Sequence, residues 1–214
     1  MNGWSFYQTK TLAVVPYMPG TPVYRDGMLP FLYTKLKEEG KVSATFCGEN
    51  KTMDSFVSYF DRIKTMQVLC RVGVEGDPRR IVPVGFSWVD NPRGEDGQRV
   101  AMPGEAFFDG ASRTYSARNL ARLAIAYAFE DLQIDVLHGV QVVTNFAARN
   151  FSMKLGFKEV AIVPKYHFVD GELVGARVMM LEKKDFMPSF QRWFEGEKYG
   201  LEKEIPVETE PVMA

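Results

Sequence analysis

The spacing of hydrophobic positions changes several times along the chain, and each change predicts an element. Leu29, Leu32, Tyr33 and Leu36 recur at three and four residues and stop at Gly40, which predicts a helix over 29–39. Met53, Phe56, Val57 and Phe60 predict a second over 54–64, and Leu120, Leu123, Ala124, Tyr127 and Ala128 the longest, over 117–131. Asn145 is placed to cap a helix over 146–155, which Gly156 ends. Residues 12–15 read as a short strand, and a proline-rich turn region fills 16–27. Residues 67–74 and 81–89 read as strands, with Pro83 marking an edge position or a bulge, and 90–97 as an exposed loop. Residues 99–110 look extended but are interrupted at Pro103-Gly104, so the hairpin partner is expected over 105–109. Strands follow at 140–144 and 160–163, and a last hairpin joins 166–169 to 173–181 through Asp170-Gly171. Helix, three or four strands, helix, strand, helix and two strands make a single mixed α/β domain with no internal repeat.

Composition narrows the function classes. The 214 residues are 46% apolar, enough for a sizeable core. Twenty-six basic against 27 acidic residues give a net charge of -1, which leaves no electrostatic footprint for nucleic acid or an anionic membrane. No apolar run reaches membrane-spanning length, and the opening MNGWSFYQTK lacks the pattern of a signal peptide, so a cytoplasmic location is expected. Cys47 and Cys70 make no disulfide scaffold and read as buried thiols. With two histidines, His138 and His167, and neither CxxC nor HExxH, no metal site is read. The 16 Phe, 9 Tyr and 3 Trp crowd the N-terminal third and the C-terminal end. Residues 188–214 carry six acidic and three basic side chains and read as a polar tail, yet Phe190, Trp193, Phe194 and Tyr199 within it call for a packing surface, on the domain or on a partner.

The stretch Asn145-Phe-Ala-Ala148-Arg-Asn-Phe151-Ser152-Met-Lys-Leu155-Gly156-Phe157 resembles a signature of the GNAT N-acetyltransferase superfamily: Asn at a helix start, Ala three residues on, an apolar residue, Tyr, then Leu-Gly-Phe before a strand. The elements on either side fit the same family, and the likeness covers about 51–186. It implies an α/β fold with a mixed sheet and with extensions at both ends, divided as 1–50 packed on the core, 51–187 the acetyltransferase-like domain and 188–214 the tail. It also implies that two parallel strands splay apart to admit acetyl-CoA, with pantetheine lying along the splayed edge and pyrophosphate on the first amides of the long helix, where orphan N–H groups and the helix dipole favour an anion.

Residue by residue, the resemblance implies cofactor contacts at Arg113, Ser116, Ala117, Arg118 and Asn119, with Asn145 near the cofactor's path. Either Ser116 and Arg118 or Ala117 and Asn119 take the places the family gives to small residues, and neither register contains glycine. Ser152 occupies the place of the family's general-acid tyrosine, for which Tyr166 or Tyr115 could substitute. Glu105 and Asp109 share a strand parity and are the candidate general bases; either histidine could serve by its ordinary pKa. The first function implied is transfer of an acyl group from acyl-CoA to a primary amine, on a small molecule or a protein, by direct attack. Two alternatives stay open: a catalytically inactive structural or assembly protein of this fold, a virion component if the source is a phage, and a protein that binds coenzyme A without turnover. In the structural reading, homo-oligomers or protein complexes form through the aromatic extensions.

Overall fold

The computed structural model describes residues 7–17, 22–46, 52–63, 65–73, 80–95, 98–108, 115–169 and 172–199. Eight strands form one sheet: β1 (Tyr7–Gln8), β2 (Leu12–Pro16), β3 (Gln67–Val72), β4 (Ile81–Arg93), β5 (Val100–Phe107), β6 (Val136–Val142), β7 (Lys158–Val169) and β8 (Glu172–Glu182). Their order is β1-β2-β3-β4-β5-β6-β8-β7, and every pairing is antiparallel except β5 with β6. The helices are α1 (Leu29–Glu38), α2 (Val42–Thr45), α3 (Met53–Ile63), α4 (Tyr115–Glu130), α5 (Phe146–Lys154) and α6 (Lys183–Tyr199). None is long and apolar enough to cross a membrane.

Strand alternation sorts the apolar side chains into two cores, one on each face of the sheet. Leu69, Val89, Ala101 and Phe107 face α4 and α6, where Leu120, Leu123, Phe129, Phe186 and Phe190 close the first core. Val68, Phe86, Trp88 and Ala106 face the other way, under Leu29, Leu32 and Leu36 of α1 and Phe56 and Phe60 of α3. The helical spacings at 29–39, 54–64 and 117–131 therefore each mark a buried stripe. Residues 7–17 and 22–46 are woven into the same body, since they supply two strands and much of the second core.

Several boundaries differ from the sequence pattern. Residues 23–28, expected as turn, form a π-helical turn (Val23–Met28) leading into α1, and 42–45 form the unexpected α2. Pro83 is not at an edge, because β4 lies between β3 and β5. The partners Leu69↔Gly85 and Cys70↔Pro83 leave Val84 as an extra residue, so the bulge alternative holds. Strand β4 runs on to Arg93 through the polar segment expected as loop, and Tyr59 Oη donates to Asp90 Oδ2 there at 2.7 Å. Strand β5 passes through Pro103-Gly104 unbroken. The fifth strand of the core begins at Val136 rather than 140, so His138 lies inside it. Residues 158–169 are one strand with register shifts at Glu159/Ala161 and Val163/His167, and Lys165 sits at φ 53 beside Pro164, which is why the pattern read as two pieces.

The expected polar tail begins inside α6. This helix continues through Pro188, and Phe186, Phe190 and Phe194 stack on one another at spacings of four residues. Phe190 is buried, and Trp193 and Phe194 pack partly buried against the same core, with Arg122 over the Trp193 ring. Cys70 is buried and burial pushes its thiol up to about 12, while Cys47 lies outside the described residues.

Candidate functional site

Strands β5 and β6 pair only at Val100↔Val136 and Ala101↔Leu137. Beyond that point β5 stays with β4 as far as Phe107↔Gly85, and β6 stays with β8 as far as Val142↔Ala176. The two parallel strands diverge, and a wedge opens between residues 102–107 and 138–142. Backbone direction alternates along a strand. Phe108 N–H donates to Val84 O on β4, whereas Arg99 O accepts from Asp135 and Val136 at the β6 side. By that alternation the peptide groups of Pro103, Glu105 and Phe107 face the wedge. Pro103 has no N–H to offer, so it is tolerated on this open edge, and Glu105 and Phe107 present theirs. Lys41 Nζ donates to Phe107 O at 3.2 Å, holding the α1–α2 connection to the mouth of the wedge.

The parity that sorts the cores also sorts the site. Glu105 lies on the α4 side of β5, opposite Ser87, whose hydroxyl donates to Gln67 Oε1 at 2.6 Å. Glu105 is exposed, and desolvation by the protein around its carboxyl pushes that group up to about 7. On β6, Gln141 faces α5. Its Nε2 donates to Ser152 Oγ at 2.6 Å, while its Oε1 is buried without a hydrogen-bond partner among the described residues. Asn145 caps α5 by accepting from Ala148 N–H at 3.0 Å, and Gly156 closes it at φ 100 between the buried Leu155 and Phe157. Phe151 packs edge-on against Phe107 with ring centroids 6.1 Å apart, so α5 is braced against β5 across the wedge.

In the first turn of α4, Ala117 is fully buried and Asn119 is 1% exposed, while Ser116 and Arg118 are half-buried. Both polar atoms of the Asn119 side chain lack a hydrogen-bond partner among the described residues. A buried primary amide without partners is costly and calls for an explanation.

Tyr166 lies elsewhere, exposed on the face opposite α4 and α5. It lines a pocket of about 440 Å³ at the closed end of the wedge, with Met102 of β5, His138 and Val140 of β6, and Val178 of β8. A larger cavity of about 720 Å³ sits below the strands, between Glu130, Asp135 and Lys183, away from the splay. The expected site residues thus divide between two faces: Glu105, Ser152 and the α4 turn on one, Tyr166 on the other. Asp109 and Arg113 lie outside the described residues, as do the side chains of Tyr115 and His167. Sequence reasoning missed Gln141, because its link to Ser152 depends on how β6 meets α5. It also missed the grouping of Met102, His138 and Val140, which shows only once the strand register is known.

No protein-family model matches the chain, and no curated protein matches it in sequence. Solved structures do resemble it. An acetyltransferase of the GNAT family from Bacillus anthracis is 12% identical, with 84% of this chain and 99% of that one covered at a TM-score of 0.63. Spermidine N-acetyltransferase from Vibrio cholerae, in complex with CoA and spermine, is 14% identical, with 82% and 98% covered at 0.64. A GCN5-related N-acetyltransferase from Brucella melitensis is 13% identical, with 89% and 85% covered at 0.63. At these identities the likeness is one of fold: the chain has the mixed α/β architecture of the GNAT acetyltransferases. The shared part is longer than residues 51–186, in keeping with β2 and α1 being built into the sheet and its second core.

Proposed function

We propose that the chain is an acyl-CoA-dependent N-acyltransferase that transfers an acetyl or related acyl group to a primary amine by direct attack. The observation that carries this reading is the wedge between β5 and β6, with the N–H groups of Glu105 and Phe107 turned into it. These donors fit the amide chain of pantetheine, and the Asn119 amide near the start of α4, without a partner among the described residues, fits a polar ligand there. When bound, the cofactor supplies an activated thioester carbonyl. The chain's own groups do the rest. A wedge-facing N–H would polarise that carbonyl. The Glu105 carboxylate, with its raised pKa, takes the proton of the attacking ammonium, and Asp109 is the second carboxylate candidate. Ser152, whose oxygen accepts from Gln141, keeps its own proton for the departing thiolate. Ser116, Ala117, Arg118 and Asn119, together with Arg113, would hold the pyrophosphate, with Asn145 beside the path. The amine enters from the opposite face, past Tyr166, and its nitrogen passes between the splayed strands to reach Glu105 on the α4 side.

Titration of acetyl-CoA by calorimetry tests the reading, followed by thiol release with a panel of amines that includes spermidine. Saturable heat and amine-dependent release are expected; no heat at millimolar cofactor ends it. Arg113→Glu should weaken binding by about tenfold through loss of a charge-assisted contact. One observation favours binding without turnover: Ser152, a weak acid in place of a phenol, already holds the Gln141 amide. Binding with no release for any amine would select that reading. The assembly-protein alternative is less supported, because Phe190, Trp193 and Phe194 pack on this chain's own core.

A further inference from the structure

We infer that the pocket on the far face of the wedge takes an aromatic or similarly apolar primary amine and excludes polyamines. This rests on the acyltransferase reading, and it assigns the acceptor class. The pocket's volume, about 440 Å³, falls within the range of about 300–1,000 Å³ typical of small-molecule sites. Its walls are Val100 and Met102 on β5, Val140 on β6 and Val178 on β8, with Tyr166 reaching in from β7. Met102 is 36% exposed and Tyr166 53%, so a thioether and a phenol ring stand open where large apolar groups are ordinarily covered. A flat ring slipped between them gains sulfur–aromatic and ring–ring contact together. His138 projects into the same slot from the even-numbered face of β6 and offers a hydrogen-bond partner for one amine nitrogen.

The charge pattern excludes the alternative class. No carboxylate lines the pocket among the described residues, and the only permanently charged side chain there is Arg93, a cation. The reacting ammonium of either amine leaves the slot for the wedge, but a polyamine would leave at least one more ammonium in an apolar slot that no carboxylate lines among the described residues, and desolvated charge without a partner is strongly unfavourable. Glu105, the nearest carboxylate of the proposed mechanism, lies on the other face of β5 by strand parity.

The test is direct binding of 2-phenylethylamine and of spermidine to the full chain, measured by calorimetry with and without coenzyme A. Phenylethylamine should bind and spermidine should not. Val140→Asp should weaken phenylethylamine by about tenfold or more and create spermidine binding, the size expected of an altered pocket contact. Tyr166→Glu, at an exposed position, repeats the test if Val140→Asp does not fold. Spermidine binding the unaltered chain as tightly as phenylethylamine would overturn the inference, and so would binding of neither amine under both conditions. Acetyl-CoA titration in parallel reports on the acyltransferase reading by itself. Amine binding that survives an absence of cofactor binding would end that reading and leave the pocket's ligand class standing.

Discussion

Gln141 and Ser152 are eleven residues apart in sequence, and their side chains meet at 2.6 Å with Gln141 Nε2 as donor. The direction of that bond matters. The other near contact of Nε2 is Ala148 O at 3.4 Å, an acceptor to which the amide nitrogen can donate and the amide oxygen cannot. The amide is thereby fixed with its nitrogen toward α5, and the serine oxygen is held as acceptor. Its hydroxyl proton remains for a third group. Ser152→Ala is therefore expected to lower kcat by about 10²-fold, the low end for a general acid, because an alcohol is a poor one. Coenzyme A affinity should be unchanged, and stability should fall by only about 1 kcal/mol for one lost hydrogen bond. Steady-state kinetics and a thermal melt separate the two effects; unchanged kcat would remove Ser152 from the chemistry.

The raised carboxyl of Glu105 makes a prediction about pH. A base acts in its ionised form, so kcat/KM should rise with pH and level off above about 7, where desolvation has placed this group. Linkage runs in the opposite sense. The folded state holds the proton more tightly than an unfolded carboxyl does. The associated stability is full below the unfolded pKa, about 4.3, and is lost as pH rises through about 7. Glu105→Gln should abolish the rise in kcat/KM near 7 and lower the plateau by about 10²-fold or more. An unaltered profile in the variant would assign the base elsewhere.

What could be read from the sequence followed from periodicity and from one motif. The stripes of α1, α3 and α4 and the Asn145 cap of α5 are local patterns; most side chains that carry them are buried or bonded as the spacing implies, with Met53, Val57 and Tyr127 half-buried at the margins. Pro103 and Gly104 misled because their tolerance is not local. Pro103 sits where β5 has no neighbour to receive an N–H, and Gly104 lies opposite Trp88. The polar residues 90–93 and the proline within α6 hid a strand and a helix for the same reason, since pairing and core contact outweighed propensity. The site was legible only in part. The motif picked out Asn145, which caps α5, and Ser152, which meets Gln141, but the partition of Glu105 and Tyr166 between opposite faces depends on the register of four strands.

Gly104 tests the strand assignment itself. A Cβ built there would stand 2.1 Å from Trp88 Cζ2 and 2.2 Å from Cε2. Trp88 cannot retreat easily, because it stacks on Phe86 and Phe46 within the second core. Gly104→Ala should therefore cost about 1–3 kcal/mol from overpacking. Gly139, on β6, is the control: its added Cβ would meet only Met179 Cβ at 3.8 Å, ordinary contact. Gly139→Ala should leave the melting temperature nearly unchanged. Equal melts for the two variants would mean that β5 does not pair with β4 in this register.

Asn119 offers the sharpest separation of stability from function. Its amide is 1% exposed in the first turn of α4, among Ala117, Leu120 and Leu123, and neither of its polar atoms has a partner among the described residues. Burial of that group works against folding, so a residue of similar volume without polar atoms should be more stable there. Asn119→Leu is expected to raise stability by about 1–2 kcal/mol, the desolvation penalty removed. If the amide is kept for a ligand at the helix start, the same change should weaken coenzyme A binding by about tenfold, a trade of function for stability. Calorimetry and a denaturant melt on one preparation read both. Higher stability with unchanged affinity would leave Asn119 without a ligand role and move the phosphate contacts to Ser116 and Arg118.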